Sequence, residues 1–176
     1  MGATPLPADE HNALVFDGRW SASRRITQVR PHLWRELEPR LRDGALLEIG
    51  PGLRPTIRVQ GSHFADISAA AVAALRARGG IAHRYAGGPL PLPDESADLV
   101  CAFEVLEHVQ DDEALLREVA RVLRPGGLFV FSVPLHMALW TSLDRIAAHV
   151  RRYEPGDLRA LLGRARLDVE RYEVFT

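Results

Sequence analysis

Apolar positions along the chain change their spacing several times, and each change marks an element. From Ser23 to Arg42 they recur at three and four (Ile26, Val29, Leu33, Trp34, Leu37, Leu41), which predicts an amphipathic helix ending at Asp43-Gly44. The next runs are short and unbroken: Ala45–Ile49, stopped by Gly50-Pro51-Gly52, and His63–Ile67, stopped at Ser68. Both read as strands buried on two faces. Ser68 caps a helix over Ala69–Arg78, and Gly79-Gly80 supplies its left-handed stop. A third strand is expected at Ile81–Tyr85. The proline-rich stretch 87–93 is a loop, because proline fixes φ and lacks a donor, and a fourth strand follows at Ala97–Phe103. Asp111 or Asp112 then opens a helix whose stripe is Leu115, Val119, Val122 and Leu123, closed by Pro125-Gly126-Gly127. Leu128–Val133 is the fifth strand. Pro155 starts a last helix carrying Leu158, Leu161 and Leu162, and a final strand is expected near Leu167–Phe175.

This alternation predicts an α/β fold with a mostly parallel sheet covered on both faces. Residues 1–22 read as an N-terminal tail and 23–176 as a single domain. In such sheets ligands bind beyond the carboxyl ends of the strands, so the residues that matter stand just after each apolar run.

Composition removes several alternatives. Twenty-two basic residues balance 23 acidic ones, which argues against a general polyanion binder and predicts no nucleic-acid partner. Every basic residue is Arg, which excludes Schiff-base chemistry and the lysine of a phosphate-cradling P-loop. The one cysteine, Cys101, reads as a small core residue; it allows no internal disulfide and fits a reducing cytoplasm. No apolar stretch suits a bilayer, and the start has no apolar signal core, so a soluble cytoplasmic chain without a membrane partner is expected. The seven histidines are scattered without HExxH spacing, which predicts no metal.

Three strand ends carry the chemistry: Glu48-Ile49-Gly50-Pro51-Gly52 after the first, Asp66 after the second, and Glu104 to His108 after the fourth. The glycines let a turn take positive φ and bring backbone amides close to a ligand. A carboxylate such as Asp66 can accept two hydrogen bonds from a diol, and Glu48 can favour an ammonium. Taken singly, a Gly-Pro-Gly is more often only a turn, and an Asp before a Ser-capped helix often only complements its dipole.

Together these stretches resemble the class I S-adenosylmethionine-dependent methyltransferases, in particular the small-molecule, methyltransferase type 11-like group. The matching segments are LLEIGPG at 46–52, DIS at 66–68, LPLPDESAD at 90–98, VLEHV at 105–109 and RVLRPGG at 121–127. The resemblance implies a Rossmann-like three-layer sandwich, S-adenosyl-L-methionine as methyl donor and a small-molecule acceptor. It implies donor contacts from Glu48, Gly50, Pro51, Gly52, Asp66, Glu104 and Val105. Ile67 and Leu90 are expected to pack on adenine, since Ala86-Gly87-Gly88 stand where relatives carry an acidic residue. His108 is the candidate base, and His149 and Tyr153 match positions that face the substrate side. Arg151 and Arg152 are expected in solvent, and Asp94 reads as a turn residue.

The chain departs from the pattern in two further places. Arg54-Pro55 replace the usual third glycine, and the short interval from Gly52 to Asp66 predicts a shortened first crossover helix starting at Pro55. The sequence offers no match for the seventh, antiparallel strand of the resembling fold; either the last segment pairs with the fifth strand, or a second copy in a homodimer covers that edge, or the chain is shortened. These departures motivate an alternative function, a non-catalytic S-adenosylmethionine-binding or assembly subunit. A nicotinamide dehydrogenase is disfavoured: proline takes the place of its last fingerprint glycine, and Ala45–Ile67 falls short of the usual βαβ unit of about 30 residues.

Overall fold

The computed structural model describes residues 42–174 together with Arg35, Leu37 and Pro39. Its elements are β1 (Leu46–Ile49), β2 (His63–Asp66), α1 (Ala69–Ala77), β3 (Ile81–Arg84), β4 (Ala97–Phe103), α2 (Asp112–Val122), β5 (Leu123–Ser132), α3 (Ser142–Ile146) and α4 (Pro155–Arg164). Single 3-10 turns lie at Leu106–His108 and Met137–Leu139. The five strands run in the order β3-β2-β1-β4-β5, and every pairing between them is parallel. From β1 the chain builds outward through β2 and β3, then returns to the other side of β1 with β4. The crevice of such a sheet opens at that reversal, beyond the carboxyl ends of β1 and β4.

Alternation along the strands divides the core into two faces. Leu47, Ile49, Val100 and Ala102 pack with Leu116 and Val119 of α2 and Leu162 of α4. Leu46, Phe64, Leu99 and Cys101 pack on the opposite face with Val72 and Leu75 of α1. Side-chain caps set the helix starts: Ser68 accepts from the Ala71 amide and Asp111 from the Ala114 amide. Leu116 and Phe64 are wholly buried, and truncating either to alanine costs about 2–5 kcal/mol.

Three expectations change, and one falls mostly outside the described residues. The helix over Ser23–Arg42 lies largely outside the described residues; Arg35, Leu37, Pro39 and Arg42-Asp43 are helical, and Leu37 is buried. The first crossover forms no helix at all: residues 50–62 make only turns and bends. Glu48 instead satisfies the amides of Thr56 (2.8 and 3.0 Å) and Ile57 (3.1 Å) without any helical turn. Strand β5 begins at Leu123 rather than Leu128. Leu123 pairs with Ala97 and Leu128 with Leu99, so the Pro125-Gly126 stretch bulges out of the ladder, with Gly126 at φ +74°.

The third change is at the final segment, where residues 167–174 form no strand. The Leu167 amide donates to the Leu162 carbonyl at 3.0 Å, which finishes α4. Tyr172 and Val174 beyond it are exposed, so no buried face pulls the segment onto the sheet. No helix among the described residues is long and apolar enough to cross a membrane.

Candidate functional site

The turn after β1 needs its glycines. Gly50 holds φ +66° and Gly52 φ +56°, and a Cβ on Gly50 would stand 2.7 Å from Cγ2 of Val105. Thus Val105, just past β4, closes directly over the backbone at the end of β1. Asp66 ends β2 and is buried. Its Oδ2 accepts from the Gly52 amide at 2.7 Å and its Oδ1 from the Ser68 amide at 2.8 Å. Those bonds fix the carboxylate at the crevice. Glu104 continues the rim: it holds φ +53°, rare for a residue with a side chain, while Ser132 Oγ donates to its Oε1 at 2.6 Å.

The proline-rich loop before β4 is fastened from α2. Arg121 donates to the carbonyls of Leu90 (3.1 Å) and Leu92 (3.0 Å) and to Oδ1 of Asp94 (2.6 Å), while Glu118 accepts from the Leu90 amide at 2.8 Å. Asp94 therefore serves the loop, as its turn reading expected. The Leu90 side chain is buried within the core, which leaves little of it to meet an adenine ring; Ile67 is half-buried.

A second group gathers around Glu107, which is wholly buried and has no hydrogen-bond partner on either carboxylate oxygen. Burial, with the Glu104 carboxylate nearby adding to it, pushes its pKa up to about 9. His149 Nε2 lies 3.9 Å from Glu107 Oε1, and the His108 and His149 rings meet edge to face with centroids 4.8 Å apart. The two segments are tied by the Val150 amide, which donates to the Glu107 carbonyl at 2.8 Å.

The remaining residues of this region play different parts from those expected. Tyr153 is 5% exposed, and its hydroxyl lies 2.8 Å from Asp112 Oδ2 and 3.0 Å from the Leu106 carbonyl. Burial and the Asp112 carboxylate raise its pKa, so it is a fixed, neutral donor within the fold. Arg151 and Arg152 are not in solvent. Arg151 pairs with Asp112 at 2.6 Å, and Arg152 with the buried Asp144 at 2.7 Å, because α3 brings Asp144 beneath the 149–153 segment. Asp144 was not among the expected residues, although Thr141 and Asp144 form a capping box whose spacing is visible in the sequence. Cys101 is buried in the core as expected.

Comparison with known proteins agrees with this geometry. A family profile described as a methyltransferase domain matches residues 48–131. A probable S-adenosylmethionine-dependent methyltransferase of Mycolicibacterium smegmatis is 36% identical over 115 residues, 64% of this chain. The chain spans 44% of that relative's length. Among solved structures, a possible histamine N-methyltransferase from Thermotoga maritima superposes with a TM-score of 0.63 at 20% identity, covering 88% of this chain and 80% of that one. A geranyl diphosphate C-methyltransferase from Streptomyces coelicolor, solved with Mg2+, geranyl diphosphate and S-adenosyl-L-homocysteine, gives 0.66 at 13% identity over 94% of this chain and 81% of that one. These two likenesses concern the fold, whereas the profile reaches the glycine turn, Asp66 and the stretch after β4, and on that basis residues 48–131 carry a methyltransferase domain similar to those of the S-adenosylmethionine-dependent methyltransferases.

Proposed function

We propose that this domain binds S-adenosyl-L-methionine in the crevice between β1, β2 and β4 and transfers its methyl group to a small-molecule acceptor. One observation carries the reading: the Gly50–Gly52 turn, the Asp66 carboxylate and the Glu104-Val105 step meet at a single rim, the first two joined by a hydrogen bond. The site fits the donor because the left-handed turn at Gly50 and Gly52 carries no side chain between its amides and a ligand, and because the fixed Asp66 carboxylate can accept from a diol. When bound, the donor supplies an activated methyl on a sulfonium, so the chain's work is positioning and exclusion of water.

The roles then follow from the contacts. Asp66 receives the ribose hydroxyls while its bonds to Gly52 and Ser68 keep it from turning away. The turn amides and Pro51 approach the methionine portion, and Val105 covers it. Glu48 acts mainly by holding the 56–57 backbone, with its negative charge still favouring an ammonium nearby. Adenine rests on Ile67 and backbone groups rather than on the buried Leu90. His108 and His149 face the acceptor side, whereas Tyr153 supports the fold. The exposed apolar residues Met137, Leu139, Leu143 and Ile146 on the segment after β5 favour an acceptor with an apolar body. A cytoplasmic setting and a second copy along the outer edge of β5 complete this reading.

Calorimetric titration with S-adenosyl-L-homocysteine tests it: wild type binds, and Asp66→Ala loses affinity by tenfold or more. Equal affinity in the two proteins rejects the site. Product formed from a panel of acceptors separates an enzyme from a donor-binding assembly subunit.

A further inference from the structure

We propose that Glu107, His108 and His149 form a binding site for one divalent transition-metal ion at the carboxyl end of β4. Ligand-capable atoms of the three side chains lie within 4.8 Å of one another. Scattered histidine spacing predicted no such site; folding assembles it by packing the 149–153 segment against the turn after β4.

The decisive feature is Glu107. A carboxylate with no solvent exposure is costly to bury, and no donor among the described residues bonds either of its oxygens to offset the cost of the charge. An ion between it and the two rings would. The separation of 3.9 Å from His149 Nε2 is too long for a hydrogen bond. It suits two ligands of one ion, since atoms each about 2.1 Å from a metal lie roughly 3–4 Å apart.

Both histidines are held from their far sides. His149 Nδ1 lies 3.0 Å from Asp144 Oδ1, and Asp144 is itself held by Arg152 Nε at 2.7 Å and the Thr141 amide at 2.7 Å. An anchored carboxylate on Nδ1 selects the tautomer whose lone pair is on Nε2, the nitrogen that faces Glu107. His108 Nδ1 faces the Ala148 carbonyl at 3.3 Å, which puts its lone pair on Nε2 as well. Ala148 holds φ +58°, a left-handed conformation retained beside the ring it supports. Outer partners that orient imidazoles in this way are the usual second layer of a metal site.

Two imidazoles and one carboxylate suit Zn2+, Co2+, Fe2+ or Mn2+ rather than Ca2+ or Mg2+. Three protein ligands leave coordination open for an oxygen donor, as in catalytic rather than structural sites. Here the inference rests on the proposed methyltransferase reading: the open side would take a hydroxyl or carboxylate of the acceptor and fix it beside the donor.

The test uses the full chain, stripped with chelator, without donor. Co2+ is titrated while visible absorption is followed, and Zn2+ uptake is counted by equilibrium dialysis. One ion per chain is expected, and Glu107→Gln and His149→Ala each weaken Co2+ binding by about 100-fold or more, while His83→Ala binds as wild type. Imidazole NMR gives a readout that needs no variant: Co2+ shifts His108 and His149 before the other histidines. Absence of Co2+ uptake by wild type, or unchanged affinity in Glu107→Gln, overturns the proposal. S-adenosyl-L-homocysteine is titrated separately. Its failure with Co2+ uptake intact removes the methyltransferase reading and leaves the metal site standing.

Discussion

Gly52 and Asp66, the last glycine after β1 and the last residue of β2, are joined by a 2.7 Å hydrogen bond from amide to carboxylate. The bond makes the glycine turn and the Asp66 carboxylate one rigid unit rather than two neighbouring motifs. Asp66→Asn tests this, because the amide keeps one acceptor oxygen and loses the charge. A hydrogen bond to a charged group contributes about 1.5–3 kcal/mol, so S-adenosyl-L-homocysteine affinity is expected to fall about 10- to 150-fold. Calorimetry reads it, and affinity unchanged in Asp66→Asn contradicts the assignment.

Tyr153→Phe separates a structural phenol from a catalytic one. The hydroxyl bridges the Leu106 carbonyl and Asp112, and removing it leaves buried acceptors short of a donor. Stability in urea denaturation is expected to drop by about 1–2 kcal/mol. Donor-product affinity and methyl transfer per folded molecule stay at the wild-type level; a selective loss of transfer with stability intact would return Tyr153 to the catalytic group.

Legibility in the sequence followed the range of the interactions. β1, β2 and β4 were readable because apolar runs end at Gly50, Ser68 and Glu104, and the residues proposed to meet the donor could be picked out because they stand immediately after those strands. The absent crossover helix was not readable, since what replaces it is the donation of the Thr56 and Ile57 amides to the Glu48 carboxylate, set by tertiary placement. The early start of β5 was hidden because Pro125-Gly126-Gly127 reads as a break, whereas a bulge lets the ladder resume past it. The Glu107–His149 approach was least visible of all: nothing in local spacing says that the segment after α3 folds back under the turn after β4.

Gly50→Ala combines two penalties that can be separated. Alanine at φ +66° costs about 1–2 kcal/mol, and its Cβ meets the stiff, β-branched Val105 at 2.7 Å. Gly50→Ala alone is expected to destabilise by more than the backbone penalty. In the Val105→Ala background the same substitution costs less, by about 1 kcal/mol or more, because the steric part has gone. Additive losses in this double-mutant cycle, measured by denaturation, would show that the two residues do not touch.

Glu118 ties the fastening of the proline-rich loop to pH. Its carboxylate accepts from Arg121 at 2.7 Å and from the Leu90 amide at 2.8 Å, and these bonds, Arg121 first, hold its pKa below the usual carboxylate value of 4.5. A carboxyl group whose pKa is lower in the folded chain contributes stability above the unfolded value and loses it as pH falls through the folded one. Glu118→Gln is therefore less stable than wild type at pH 7, and the gap between them narrows as pH drops below about 4.5. Hydrogen exchange at the Leu90 amide reports the same event locally, with protection lost in Glu118→Gln at pH 7. A stability gap that is constant from pH 7 to pH 3 would mean that packing of the side chain, rather than its charge, holds the loop to α2.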